Sequence, residues 1–271
     1  MSGPREKAFG VHPPPARSPQ WRRSLDAESA SSPQLWRYAN DPREGDCLRL
    51  LPAGPRRRAL FLGNALAILP TVLAGLFESV VVADCNSQRL ALAEQRRDEE
   101  STGNLVCVLT SGLDDVPDRL GRFDLVALGE DRPDNGWLLP FADPDVPRRL
   151  ASAIVPAGCL MYGVRFPHLG GLVAAARLGK SRRPLLYPAH ARVLAAAGFT
   201  AVRAYGRRPD TRPYEVYVPL DDPGFVAYWI RKSAPKGVRP RLRHAAKEAL
   251  VRLGGWQYLF NNFLVIGRKS S

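Results

Sequence analysis

The chain is predicted to fold as an α/β protein built on a doubly wound, mostly parallel sheet. Three observations predict it. Short apolar runs closed by turn residues or an acid recur between residues 48 and 206, helical patterns separate them, and one more apolar run, Phe263–Gly267, returns after a long interruption. With 271 residues, 45% of them hydrophobic, one large core is expected, with an insertion before the last strand.

Taken in order, residues 1–33 mix Pro, Ser, Arg and Gly without apolar periodicity and read as a disordered tail. The single domain is expected over 34–271. From Gln34 the chain gains Leu35, Trp36, Tyr38, Leu48, Leu50 and Leu51, enough to pack a short arm on the core before the Pro-Arg-Arg-Arg turn at 55–58; this arm is also placed to close over a ligand. Ala59–Leu62 reads as a strand and Ala65–Phe77 as a nearly all-apolar, buried helix. Pro70 inside that span requires either a late helix start or a kink. Ser79–Ala83 is a strand ending at Asp84. Ser87–Glu100 is an amphipathic helix with Leu90, Leu92 and Ala93 inward and Arg96, Arg97, Asp98 and Glu99 in water.

Asn104–Leu109 is β-rich, Leu113–Leu120 a short acidic helix or loop, and Phe123–Leu128 a strand. Helix Val146–Ile154, the turn Pro156-Ala157-Gly158, strand Cys159–Val164, helix Ala189–Ala197 and strand Thr200–Tyr205 continue the alternation. Residues 207–258, basic and rich in Tyr and Trp, read as an insertion before the final strand.

A strand, a turn, an apolar helix and an acid-ended strand form half of a nucleoside-binding unit, in which the carboxylate after the second strand, here Asp84, accepts ribose hydroxyls. Asp84 otherwise serves a turn or cap. Gly63 lies either under the ligand or only in the turn. Asn64 either bonds a ligand carboxylate or enters the helix cap.

Charge divides the chain into three parts. Residues 1–58 carry +5, residues 59–164 carry −7 and residues 165–271 carry +15. The basic part is expected to meet something anionic, or to be a solvated face. Residues 239–253 form a basic amphipathic helix with Leu242, Ala246, Leu250 and Leu253 on one stripe, which lies on an anionic membrane, covers the substrate pocket or packs on the domain. The spacing of the aromatic residues matches no nucleic-acid module, so nucleic acid is not the expected partner. Cys47, Cys85, Cys107 and Cys159 are far apart and are expected to be buried reduced thiols, with no metal site. No apolar run reaches the roughly 20 residues of a membrane span, and the expected location is the cytoplasm.

Segments 59–63, 80–96, 121–130, 150–164 and 198–206, in this order and spacing, resemble the class I S-adenosylmethionine-dependent methyltransferases, which have a Rossmann-like fold. The resemblance covers roughly residues 48–206 plus 263–267. It departs from the family at the glycine-rich turn, where two glycines fall at Ala65 and Ala67, and at Phe61, where the family carries an acid near the methionine amino group. The adenine-contacting position falls at Ser111, with Asp114 and Asp115 close behind.

The resemblance implies S-adenosyl-L-methionine as cofactor, with Gly63, Asn64, Asp84, Cys85, Ser111 and Leu113 around it. It also implies an in-line displacement at the methyl group, aided by a base. Glu130, Asp131 and His168 follow the fourth and fifth strands and are the base candidates; Arg165 is the candidate contact to substrate. The expected activity is O- or N-methylation of an acidic or sugar-containing small molecule. The glycine and acid departures leave open a methyltransferase-like protein without methyl transfer, acting as a binding partner or in other chemistry; the C-terminal charge leaves open a basic nucleic-acid or membrane-surface adaptor.

Overall fold

The computed structural model describes residues 21–23, 38–111, 115–129, 145–165, 187–208, 216–232, 238–255, 259–260 and 262–271. Its centre is an eight-stranded sheet in the order β3-β2-β1-β4-β5-β8-β6-β7. The strands are β1 (Arg58–Leu62), β2 (Ser79–Asp84), β3 (Leu105–Leu109), β4 (Phe123–Leu128), β5 (Ile154–Arg165), β6 (Phe199–Arg208), β7 (Val216–Pro219) and β8 (Asn262–Lys269). The first five are mutually parallel, β8 runs antiparallel between β5 and β6, and β7 pairs antiparallel with β6. The doubly wound, mostly parallel sheet expected from the sequence is what forms.

β1, β2 and β4 bury both faces, which is why each reads as a continuous apolar run, whereas β3 at the sheet edge leaves Val106 and Leu109 exposed. Leu60 and Leu62 of β1 join one core with Val126, Leu160 and Val265, while Ala59 and Phe61 join the other with Val80, Val82 and Met161. The helices α1 (Leu69–Ala74), α2 (Ser87–Glu99), α3 (Asp115–Leu120), α4 (Asp145–Ser152), α5 (Tyr187–Ala196), α6 (Pro223–Lys232) and α7 (Val238–Arg252) complete the described elements, with a 3₁₀ helix over Pro42–Leu50.

Several expected boundaries move. The helix after β1 starts at Leu69, with Pro70 in its first turn, so residues 64–68 form a buried turn rather than helix. Pro156-Ala157-Gly158 lies inside β5 as a bulge, where the register against β4 shifts and Ala157 adopts φ 62°. The insertion begins after β6 and adds β7 to the sheet edge, giving one strand more than the sequence suggested.

Arg96 does not stay in water. It is 6% exposed, its Nη1 donates to the Ala39 carbonyl at 2.7 Å, and its guanidinium lies 4.9 Å from the centre of the Trp21 ring. Trp21, within the stretch read as tail, is 3% exposed and packs with Ala39 and Leu66. On α7 the expected stripe fails: Leu253 is 83% exposed and Ala246 is exposed, while Val251 is buried. All four cysteines are free thiols, but Cys85 is exposed and Cys107 half-buried. No helix among the described residues is long and apolar enough to cross a membrane.

Candidate functional site

The carboxyl ends of β1 and β2 bring Gly63, Asn64, Asp84 and Cys85 together. Gly63 leaves the strand at φ 131°, a conformation that favours glycine, and donates its N–H to the Ala83 carbonyl at 3.1 Å. Asn64 closes the turn and does not cap α1, whose N-cap is Ile68 without a side-chain cap bond: Asn64 Oδ1 accepts from Leu66 N–H at 3.0 Å and its carbonyl from Ala67 N–H at 3.0 Å. Ala65 and Ala67 are not among the described residues with positive φ, so their methyl groups bring no backbone strain where the family has glycine, and both are buried. Ile68 N–H donates to the Tyr38 carbonyl at 3.0 Å, tying the N-terminal arm to this turn.

Asp84 is fully buried. Its Oδ2 accepts from Ala65 N–H at 2.9 Å, and its Oδ1 from Asn86 N–H and Arg89 Nη2, each at 2.9 Å. The Asp84 carbonyl accepts from Thr110 N–H at 3.1 Å, which places Ser111, exposed at the end of β3, next to the same edge. Asp84 therefore joins the turn after β1, the start of α2 and, through its backbone, the end of β3.

Phe61 is buried, and its ring lies over the turn that follows β4. A Cβ built on Gly129 would come within 2.8 Å of Phe61 Cζ and 3.0 Å of the Tyr38 hydroxyl, so glycine is required there. Sequence reasoning missed this dependence, which arises between neighbouring strands.

A cavity of about 30 Å³, large enough for water, sits between the 3₁₀ helix and the ends of β4 and β5. Tyr38, Glu44, Gly129, Tyr162, Arg207 and Tyr217 line it. Burial pushes the Tyr217 phenol well above its ordinary range, with Arg207 opposing the shift. Arg207 is 5% exposed, so this member of the basic clusters is not a surface cation. Burial raises the Tyr162 phenol, whose oxygen lies 2.9 Å from His190 Nδ1 in α5, a polar pair with no signal in the local pattern of either segment.

The remaining candidates divide. Leu113, Glu130, Asp131, His168 and Asp114 lie outside the described residues, and Arg165 is placed only as the last residue of β5. The structure therefore unites the nucleoside-end candidates Gly63, Asn64, Asp84, Cys85 and Ser111, and leaves the candidate bases unplaced.

These residues fit one end of S-adenosyl-L-methionine and not the other. The positive-φ Gly63 and the Asp84 carboxylate lie at the carboxyl ends of β1 and β2, the side of an open α/β sheet on which a ribose would be held. Around the methionine amino group, the family's acid is replaced by the apolar, buried Phe61.

No protein-family model matches the chain, and no curated protein matches its sequence. Solved structures do. The N-methyltransferase NodS from Bradyrhizobium japonicum, in complex with S-adenosyl-L-homocysteine, aligns with a TM-score of 0.52 at 16% identity, covering 93% of this chain and 99% of that one. A chain from the complex between the Haloferax volcanii Trm112 methyltransferase activator and a methyltransferase aligns with a TM-score of 0.53 at 13% identity, covering 94% and 100%. The fold is that of the S-adenosylmethionine-dependent methyltransferases.

Proposed function

We propose that the chain is an S-adenosylmethionine-dependent methyltransferase, acting on oxygen or nitrogen of an acidic or sugar-containing small molecule in the cytoplasm. The observation that carries this reading is Asp84: a buried carboxylate at the end of β2, bonded to the turn after β1, on a sheet of this connectivity. Gly63, Cys85 and Ser111 flank it and would hold the nucleoside. The bound cofactor would supply an electrophilic methyl group. The chain's part would be to fix the nucleoside through Asp84, to cover the turn with the Tyr38–Leu50 arm, and to offer a base from Glu130, Asp131 or His168. Arg165 and the +15 charge of residues 165–271 support an anionic acceptor.

A second reading, a methyltransferase-like protein without methyl transfer, is favoured by Phe61, which removes a charge partner from the methionine end. Calorimetric titration with S-adenosylmethionine and S-adenosylhomocysteine, alongside Asp84→Ala, separates the two. Saturable binding lost in a folded variant supports the first reading; no binding by the folded parent protein supports the second.

A further inference from the structure

We infer that Arg89 sets the affinity of the nucleoside site by occupying Asp84 in competition with the ribose diol; the inference rests on the cofactor reading above. A carboxylate offers about four acceptor positions. Three on Asp84 are taken by the amides of Ala65 and Asn86 and by Arg89 Nη2, each at 2.9 Å. A ribose diol brings two donors, so one internal donor has to leave.

The three donors differ in how firmly they are held. The Ala65 amide belongs to a buried turn whose neighbouring amides at Gly63, Leu66, Ala67 and Ile68 are all bonded within the chain. The Asn86 amide sits at the cap of α2, where Asn86 Oδ1 accepts from Arg89 N–H at 3.0 Å. Arg89 is the one side-chain donor of the three.

Arg89 Nε is buried with no hydrogen-bond partner among the described residues, so the guanidinium is only partly satisfied where it stands. Its side chain is 17% exposed against 0% for Asp84, which gives it a way out to solvent. Because the backbone of Arg89 is held by Asn86, the side chain can swing away without unwinding the helix start. With the guanidinium gone, Asp84 turns a full negative charge toward the diol, and the two hydroxyl donors take the vacated acceptor position and the one that was already free.

Arg89 is thus a positioning residue acting through Asp84, and the diol is the part of the ligand that senses it. The test is calorimetric titration of the parent protein, Arg89→Met and Arg89→Gln with S-adenosylhomocysteine and with its 2′,3′-dideoxy analogue, together with thermal melts. Arg89→Met is expected to bind S-adenosylhomocysteine tighter by about tenfold or more, the scale of one hydrogen bond to a charged group. It is also expected to melt lower without ligand and to show the larger ligand-induced rise. The dideoxy analogue is expected to show no such gain. Arg89→Gln keeps an N–H toward Asp84 without the charge, protects the fold should Met not, and is expected to show a smaller gain in the same direction.

Equal affinity for S-adenosylhomocysteine in the parent and both variants overturns the role of Arg89 while leaving the cofactor reading intact. A gain that is the same for both ligands also overturns it, since it would report a looser pocket rather than a released carboxylate. Absence of binding in all three folded proteins overturns the inference and the cofactor reading together.

Discussion

Two aspartates clamp the two ends of β1, and they do so differently. Asp124, in β4 at the edge where the parallel strands begin, accepts from Arg57 N–H at 3.0 Å and Arg58 N–H at 2.8 Å through one oxygen, close to solvent. Around it, cations cap carbonyls: Arg58 bonds those of Leu120 and Arg122, and Lys269 those of Ala151 and Ile154. Asp84, at the opposite edge, is fully buried, uses both oxygens and carries a guanidinium partner. Asp124 shows that clamping β1 needs only a half-solvated carboxylate. Asp84 is held in far greater isolation than that task requires.

Substitution should separate the two. Asp84→Ala removes the carboxylate from three donors, one of them a guanidinium left without its ion-pair partner, and is expected to lower stability by about 3–5 kcal/mol in chemical denaturation. Next comes the cover of the Asp84 edge: Trp21→Ala empties the cluster with Ala39 and Leu66 and exposes the face of Arg96, for a loss of about 3 kcal/mol by the same measurement. Asp124→Ala frees two backbone amides near water and is expected to lose about 1 kcal/mol. If Asp124→Ala lost as much as Asp84→Ala, burial would not be what distinguishes the two clamps.

Two thiols report on the Asp84 side more gently. Burial, then the nearby Glu94, push the Cys107 thiol in β3 from its ordinary 9.0 to about 11. The unfolded chain therefore loses this proton first as pH rises, so the folded state binds more protons in that window and stability falls between about pH 9 and 11. Cys107→Ala should flatten that part of the stability profile. The smallest effect is kinetic: Cys85, exposed beside Asp84, should react with a thiol reagent ahead of buried Cys47 and Cys159, and S-adenosylhomocysteine should slow that reaction. An unchanged rate at a saturating concentration would separate Cys85 from the ligand.

The sheet was legible because strands buried on both faces leave a continuous apolar mark, as in Leu60–Leu62 and Val80–Ala83. The late helix start at Leu69 is one of the two outcomes that Pro70 allowed; what decides between them comes from far away in sequence, since residues 64–68 are buried against Tyr38, Ala39 and Trp21. The same distance hid Arg96, whose helical position faces water until Trp21 arrives. Pro156-Ala157-Gly158 carries turn chemistry, yet β4 and β5 pair on either side of it, so the turn survives only as a bulge.

At the site, the position of Asp84 could be read from a strand ending in an acid. Its partners could not, since the approach of Ala65 depends on how the turn packs and that of Arg89 on the register of α2. Phe61 was read as standing where the family carries an acid, and the structure adds that it is fully buried. Its ring's need for Gly129 is a contact between neighbouring strands and leaves no pattern within either.

β8 is the last of the eight strands in sequence but lies between β5 and β6 in space. Until it is synthesised, the five parallel strands and the β6–β7 pair are separate pieces, each with a long edge of unpaired amides and carbonyls facing solvent. A nascent chain halted before residue 262 would present both edges at once, so the hazard during biosynthesis is association between unfinished chains, and the insertion ahead of β8 lengthens the time for which it lasts.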